Sequence, residues 1–194
     1  MTTVTELKKV SRVVPKRFRV EDFYRMMEAG ILPEESGWEI IDGAVMEKVK
    51  ITPRNAATVR RLSKTFHHSF REKVLVSARN PIHIDEFNEP EPDIALLKRR
   101  DDYYSQNHPT AEDVLLVIEV SNSTIEYDRD IKKTLYAEAG IVEFWIVNLP
   151  DQTIECYSQL KNGNYRLARI LEKGETVESN SVENLKLQVE EILG

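Results

Sequence analysis

The sequence predicts an α/β fold in which a mixed β-sheet is flanked by helices. Three strand-like runs follow one another, and then come a helix and a further buried strand, at residues 74–84, 92–97, 114–120, 126–140 and 143–148. Runs rich in β-branched residues indicate strands, whereas apolar residues at four-residue intervals before a glycine indicate a helix. The strand-strand-strand-helix-strand order indicates a sheet with an antiparallel part.

Shorter elements precede and follow this central part of the chain. Residues 20–30 place apolar side chains at helical spacing before a glycine and predict a short helix, and residues 54–72 predict a long basic one. Two β-hairpins are predicted, at residues 37–49 and 153–171, because an Asp-Gly or Asn-Gly pair stands between two β-favouring runs in each.

Length and composition predict one soluble domain. A chain of 194 residues, 41% of them hydrophobic, can bury its own core, so we expect one domain over residues 1–194, with residues 1–19 as a candidate flexible extension. No apolar run approaches the roughly 18 residues of a membrane helix, and the first residues lack the apolar core of a signal peptide. With a single cysteine, Cys156, no internal disulfide can form, and we expect a cytoplasmic protein.

The charge pattern argues mildly against a protein that is constitutively bound to nucleic acid. The net charge is −6, whereas nonspecific affinity for nucleic acid comes from cations. Residues 53–73 are basic, and they form either a solvated amphipathic helix or a face that meets phosphate. Tyr103, Tyr104 and His108 lie in a long connection, where the tyrosines either stack on substrate or hold the loop in place.

Glu119 is the unexpected residue of its strand, because it follows five apolar residues. An ionised carboxylate in an apolar layer must be paired, protonated, solvated at the strand end or bound to a metal. If residues 92–97 and 114–120 are neighbouring antiparallel strands, Asp93 lies beside Glu119, and one register places both carboxylates on one face. That pair would form an oxygen-rich site for Mg²⁺ or Mn²⁺, although a surface ion pair for Glu119 and a turn for Asp93 are the alternatives.

Lys132 is the candidate cation, and its position depends on where its helix begins. Ser123 with Glu126 matches a capping box, whereas Asp128 could serve as a later N-cap. From Asp128, Lys132 would lie near the first turn and reach the carboxylates; from Ser123 it would lie roughly 13 Å along the helix. The alternative is a surface ion pair between Asp128 and Lys132.

Four segments of the chain resemble one known family. "WEIIDGAVME", "EPEPDIALL", "HPTAEDVLLVIEVSNST" and "YDRDIKKTLYAEAGIVEFWIVN", in this order, are similar to the Uma-type family of restriction-endonuclease-like proteins, within the PD-(D/E)XK nuclease superfamily. The resemblance covers roughly residues 20–192 and implies a restriction-endonuclease-like mixed β-sheet flanked by helices. It also implies a metal-dependent phosphodiesterase whose substrate is DNA.

The resemblance also implies roles for particular residues. Asp93 and Glu119 take the places of the two acids, and with the Val120 carbonyl they would hold Mg²⁺ or Mn²⁺. Ser121 stands where the usual pattern has a lysine, and the lysine on the following helix corresponds to Lys132 rather than to Lys133.

Two further positions of the family correspond to residues of this chain. Glu39 matches an additional acid that would help to hold a metal or orient water, although its alternation with Trp38 and Ile40 also suits a solvent-facing strand residue. The resemblance also places Asn55 where many relatives have a histidine, so this chain lacks the imidazole at that position.

Three classes of function stay open at this stage. The first is a metal-dependent DNA endonuclease, for which a homodimer would make double-strand cutting easy. The second is a noncatalytic nuclease-fold scaffold or DNA-binding module, which the serine at position 121 permits. The third is a phosphodiesterase for RNA or small nucleotides, since nothing in the sequence selects deoxyribose.

Overall fold

The computed structural model of the protein describes residues 14–33, 37–48 and 50–194. It contains two compact units, one formed by Met1–Val49 with Ile84–Pro90 and the other by Lys50–His83 with Glu91–Gly194. The expected single domain stays a prediction. Of the candidate extension at residues 1–19, residues 1–13 lie outside the described part, and residues 14–19 form neither helix nor strand.

The first unit contains a helix and a β-hairpin, as the sequence predicts. Helix α1 spans Val20–Glu28, and strands β1 (Trp38–Ile41) and β2 (Ala44–Glu47) pair antiparallel. The turn between them is left-handed at both central residues, with φ of 50° at Asp42 and 71° at Gly43. An Asp-Gly pair adopts this conformation readily, which explains why the hairpin could be predicted; residue 49, at its predicted end, lies outside the described residues.

The second unit is built on a six-stranded sheet with the strand order β3-β4-β5-β6-β7-β8. Only β5 and β6 pair parallel, and every other neighbouring pair is antiparallel, which confirms the predicted mixed sheet. The strands are β3 (Leu75–Ser77), β4 (Ile94–Leu97), β5 (Val114–Ser121), β6 (Phe144–Asn148), β7 (Thr153–Lys161) and β8 (Asn164–Leu171).

One predicted strand is much shorter than expected. Residues 74–84 read as one strand, but β3 ends at Ser77. Arg79 adopts a left-handed φ of 56°, which turns the chain out of the extended conformation. Pro81 follows two residues later and has no N–H to donate to a neighbouring strand, so the ladder does not resume there.

Helices cover both faces of this sheet. Helix α2 (Pro53–Phe70) covers one face, and a shorter crossover helix, residues 125–138, joins β5 to the parallel strand β6. The crossover helix consists of α3 (Ile125–Tyr127), a π-helical turn (Asp128–Lys132) and α4 (Lys133–Glu138). No helix in the described ranges is long and apolar enough to cross a membrane.

The start of the crossover helix lies between the two predicted positions. The helix begins at Ile125, after Ser123 and before Asp128. The Thr124 hydroxyl donates to the Asp128 carboxylate at 2.9 Å rather than capping a backbone N–H. This bond turns Asp128 into the fold instead of leaving it as an N-cap.

Strand β5 alternates between the two faces of the sheet. Ile118 and Val120 belong to the apolar cluster that includes Leu62 and Phe66 of α2. Glu119 and Ser121 point to the opposite face, which the crossover helix covers. The strand therefore presents hydrocarbon to one layer and polar groups to the other.

The chain ends in a small antiparallel pair and a short helix. Strands β9 (Thr176–Glu178) and β10 (Lys186–Gln188) pair with each other, and α5 (Val189–Leu193) follows. Val177, Leu187 and Ile192 join the apolar cluster on the α2 face. This segment closes the core of the second unit.

Candidate active site

Asp93 and Glu119 meet at the end of the sheet. Strand β4 pairs antiparallel with β5 and sets Ile94 opposite Ile118, so the residues one step further along are Asp93 and Glu119. The Asp93 backbone N–H donates to Glu119 Oε2 at 3.4 Å. Both side chains lie on the face that the crossover helix covers, and both residues are buried, with 8% and 4% of their surface exposed.

Lys132 and Tyr136 hold the Glu119 carboxylate from the crossover helix. Lys132 Nζ and the Tyr136 hydroxyl each donate to Glu119 Oε1 at 2.9 Å. Lys132 is only 3% exposed, so the ion pair is shielded from water. Burying two charges is costly, and such a pair is retained only with good geometry and additional hydrogen bonds, which Tyr136 supplies here.

The surface alternative for Lys132 is wrong, because both Asp128 and Lys132 are buried. The helix begins early, at Ile125, yet Lys132 still reaches Glu119. The crossover helix runs back over the sheet, and Glu119 lies two residues inside the end of β5. Residues further along the helix from its start therefore lie closer to Glu119, and Lys132 is one of them.

The π-helical turn places two cations on the sheet. Lys132 pairs with Glu119, and Arg129 pairs with Glu155 of β7, with Nη2 and Oε1 2.5 Å apart. Glu119, Ile146 and Glu155 are register partners across β5, β6 and β7, so the two acids lie in one row. An α-to-π widening is a common feature of functional sites, and it presents both cations to that row.

Asp93 is held by a residue that the sequence did not single out. Arg79 Nη2 donates to Asp93 Oδ1 at 2.6 Å, and the Val120 backbone N–H donates to Asp93 Oδ2 at 2.9 Å. The Arg79 backbone N–H also donates to the Asp93 carbonyl at 3.2 Å. Arg79 has a left-handed φ of 56°, an uncommon conformation for a residue with a side chain, and it turns the guanidinium toward the acid.

Asn55 contacts a predicted metal ligand. Its Nδ2 donates to the Val120 carbonyl at 2.8 Å, from the first turn of α2. A carbonyl oxygen has two lone pairs, so this bond leaves capacity for one further partner. The contact fixes the direction in which the Val120 carbonyl points.

Asp128 is a buried carboxylate beside the site that accepts hydrogen bonds from two hydroxyl groups. Its Oδ2 accepts bonds from the Ser121 hydroxyl at 2.6 Å and the Thr124 hydroxyl at 2.9 Å. Burial raises the pKa of this carboxyl; Lys132 and the two hydroxyls oppose the rise, and the charge of Asp93 adds to it. Ser121, at the position predicted to lack the lysine of the usual pattern, therefore holds Asp128.

Glu39 is the predicted site residue that belongs to the first unit. It lies on β1 opposite Met46, and it is 3% exposed, so its alternative as a solvent-facing residue is wrong. Both faces of this short strand are buried, so a residue that alternates with Trp38 and Ile40 is not exposed to solvent. A part for Glu39 in holding a metal or orienting water stays a prediction.

The donor atoms suit a hard divalent cation. The Asp93 and Glu119 carboxylates and the Val120 carbonyl offer only oxygen, which Mg²⁺ and Mn²⁺ prefer. Among the described residues, no three His, Cys, Asp or Glu side chains converge on one point, so main-chain and water oxygens must complete the shell. A cation would also have to displace Arg79 from Asp93, and the Arg79 side chain, 32% exposed, has room to move outward.

The Glu155 ion pair gives an expected dependence of stability on pH. Burial would raise the pKa of Glu155, but hydrogen bonds from Arg129 and Tyr157 outweigh it and hold the pKa below its ordinary 4.5. A lowered folded-state pKa stabilises the fold above pH 4.5, and this contribution is lost as the pH falls through the folded-state value. We expect Glu155→Gln to cost about 3 kcal/mol at pH 7, and less at acidic pH.

The control for this prediction is the second carboxylate that contacts Arg129. Glu126 pairs with Arg129 at 3.2 Å, but its side chain is 75% exposed. Glu126→Gln should therefore change the free energy of unfolding by no more than about 0.5 kcal/mol. Urea unfolding at pH 7 and near pH 4 measures both variants, and equal losses in the two would contradict the expectation.

This fold is found in the solved structure of a protein described as a putative nuclease. The crystal structure of a putative nuclease belonging to DUF820, from Anabaena variabilis ATCC 29413, matches with a TM-score of 0.69 over 87% of this chain and 96% of that chain. The sequences are 15% identical, so the likeness concerns the fold alone. It confirms the predicted nuclease-type α/β architecture.

The family follows from the sequence match. The model of the Uma2 family, described as putative restriction endonuclease, matches residues 20–190. The chain belongs to the Uma2 family, and the resemblance seen in its four segments is confirmed. A comparison with curated proteins gives no significant match.

Proposed function

We propose that the protein is a metal-dependent endonuclease that hydrolyses phosphodiester bonds of DNA. The observation that carries the proposal is the meeting of Asp93 and Glu119 at one end of the sheet, with Lys132 Nζ 2.9 Å from Glu119. Membership of the Uma2 family, described as putative restriction endonuclease, supports the reaction class.

In the proposed mechanism each residue has a separate part. Asp93, Glu119 and the Val120 carbonyl would hold Mg²⁺ or Mn²⁺, which when bound would polarise the phosphate and lower the pKa of a water molecule. Lys132 places a fixed positive charge beside Glu119, where it can stabilise the charge that develops on the phosphate or help to position the attacking water.

Supporting groups keep these residues in place. Tyr136 fixes the Glu119 carboxylate, and Asn55 directs the Val120 carbonyl. The Glu119 carboxylate and the Val120 carbonyl are therefore already oriented when a substrate arrives. Such preorganisation lowers the cost of stabilising the transition state. Acidic residues alone would repel a phosphate, so positive charge at the site is required before DNA can approach.

A noncatalytic DNA-binding module is the second candidate. It is favoured by internal donors on both acids: Arg79 and the Val120 N–H on Asp93, and Lys132, Tyr136 and the Asp93 N–H on Glu119. A closed network of this kind can serve stability alone. A scaffold would keep these bonds and hydrolyse nothing.

A nicking assay separates the two candidates. Supercoiled plasmid DNA is incubated with the full chain and Mg²⁺ or Mn²⁺, beside the variants Asp93→Ala and Glu119→Ala and an EDTA control. We expect metal-dependent nicking that falls by at least about 1,000-fold in both variants, the scale of losing a group that stabilises the transition state. Circular dichroism of each variant establishes that it is folded.

An exposed carboxylate on the crossover helix provides the matched control. Asp130→Ala removes an exposed acid from the π-helical turn, and its nicking rate should equal that of the wild type. Absence of nicking in the wild type with either metal would favour the scaffold.

Parallel reactions with single-stranded RNA and cyclic nucleotides test a phosphodiesterase of another substrate class.

A further inference from the structure

A second charged site lies at the opposite end of the sheet from Asp93. It is a cavity of about 410 Å³, within the size range of small-ligand pockets. Strand β4 leads away from Asp93 toward this cavity, and Arg99 lies roughly 20 Å along the chain direction, at about 3.4 Å per strand residue. The lining residues that matter are His67, Arg71, Glu72, Arg99, Arg100 and Tyr103.

The cavity concentrates positive charge on an acidic protein. Arg71, Arg99 and Arg100 face one lining carboxylate, Glu72, in a chain whose net charge is −6. The ion pairs of Glu72 are weak, because it lies 3.3 Å from Arg71 and 3.7 Å from Arg99, and its side chain is 80% exposed. The Arg71 guanidinium can therefore turn to an arriving anion at little cost, and Arg99, whose Nη1 donates to the Arg71 carbonyl, keeps further guanidinium donors for the same anion.

Tyr103 provides an exposed aromatic ring at the same cavity. Tyr103 and Tyr104 both have left-handed backbone conformations, with φ of 51° and 59°, although neither is glycine. Tyr104 is held in place: its hydroxyl donates to the Lys98 carbonyl at 2.8 Å, and the Arg100 guanidinium lies 4.5 Å from its ring centroid. Tyr103 is 72% exposed, so the strained turn displays its ring to solvent.

An apolar floor completes the site. Val74, Leu75 and Val76 line the cavity beneath the charged residues. Phosphate-binding arginines beside an exposed tyrosine and an apolar floor match the chemistry of a nucleotide, whose phosphate is anionic and whose base has a flat apolar face. Stacking on one tyrosine requires an unpaired base, so the site suits a single strand rather than a duplex.

We propose that this cavity anchors one nucleotide of single-stranded DNA, with its phosphate on Arg71 and Arg99 and its base stacked on Tyr103. The proposal rests on the proposed nuclease function, because the anchored strand would be the substrate that the acids cleave. Arg100 has a different part, since it packs on Tyr104 and pairs with Asp102 at 2.6 Å.

The test measures binding without cleavage. Fluorescence anisotropy follows a labelled dT₁₂ oligonucleotide on the full chain in EDTA, over a series of salt concentrations. We expect Tyr103→Ala to weaken binding about tenfold, the scale of one lost stacking contact, and Tyr103→Phe to bind within about twofold of the wild type. Because phenylalanine keeps the ring, the pair separates stacking from folding of the loop.

The arginines should show a different signature. Arg71→Gln with Arg99→Gln should lower the slope of log K against log salt by about 1.4, at roughly 0.7 for each phosphate contact on a single strand. Tyr103→Ala should leave that slope unchanged. Arg166→Ala, on β8 at the other edge of the sheet, is the matched control and should bind like the wild type.

Several results would overturn the proposal. It fails if Tyr103→Ala and the double arginine variant bind dT₁₂ as tightly as the wild type, or if a duplex binds more tightly than dT₁₂ and is insensitive to Tyr103. Equal affinity for dTMP or inorganic phosphate would indicate a site for a free ligand rather than for a strand. Binding of dT₁₂ in EDTA requires neither metal nor cleavage, so a failure of catalysis and a failure of this site are distinguishable.

Discussion

Lys132→Met is expected to lower the free energy of unfolding by about 3–5 kcal/mol, because it leaves the buried Glu119 carboxylate without its ammonium partner. The two side chains are 4% and 5% exposed, so water cannot take over the role of the lysine. Lys133→Met is the matched control: Lys133 contacts the Tyr157 ring at 5.1 Å and is partly exposed, so its loss should cost less than about 1 kcal/mol. Urea unfolding at pH 7 measures both variants.

A double variant separates stability from catalysis. Lys132→Met combined with Glu119→Gln removes both charges, and most of the lost stability should return, since a neutral pair carries no unpaired buried ion. Nicking activity should not return, because both the carboxylate proposed to bind the metal and the fixed cation are gone. If Lys132→Met were as stable as Lys133→Met, the Lys132–Glu119 ion pair would contribute little to the free energy of unfolding.

The antiparallel pairing of the acids could be predicted from the sequence for a simple geometric reason. Two adjacent strands run in opposite directions, so the start of β4 lies beside the end of β5. The sequence left the register open; in the structure Ile94 lies opposite Ile118, and this register places both acids on one face. Local patterns of this kind depend on nearest neighbours, which is why the mixed sheet and both hairpins also followed from the sequence.

The contacts of the site depend on backbone details that no local pattern encodes. Arg79 stood within a run that reads as a strand, and only its left-handed φ of 56° turns it toward Asp93. A rare conformation at a residue with a side chain has no propensity signal, because the surrounding fold imposes it. The π-helical turn at Asp128–Lys132 is similar, since its sequence suits an ordinary α-helix.

Long-range contacts explain the remaining gap. Asn55 meets Val120 from 65 positions away along the chain, and this contact arises only when α2 packs on the sheet. Charge pattern alone also suggested a solvent-exposed Lys132, because the i, i+4 pair with Asp128 is typical of surfaces. Burial overrides that pattern here, since each partner finds its own carboxylate or hydroxyl on β5.

Asp93→Asn and Arg79→Met are expected to change the affinity for Mn²⁺ in opposite directions. Asparagine keeps the size of the side chain but removes the charge of a proposed metal ligand, so we expect Mn²⁺ binding to weaken by at least about 100-fold. Arg79→Met removes the guanidinium that lies 2.6 Å from Asp93 Oδ1 and would compete with a cation for that oxygen. We expect Mn²⁺ to bind about fivefold more tightly, the scale of one partly exposed ion pair.

Isothermal titration calorimetry with Mn²⁺, in the absence of DNA, measures both changes independently of any catalytic turnover. Arg79→Lys keeps the positive charge and should bind Mn²⁺ within about twofold of the wild type, because both side chains offer Asp93 a cation. Weaker Mn²⁺ binding in Arg79→Met would show instead that Arg79 orients Asp93 for the metal. In that case the left-handed turn at Arg79 would serve to preorganise the acid, and the arginine would act with the cation rather than against it.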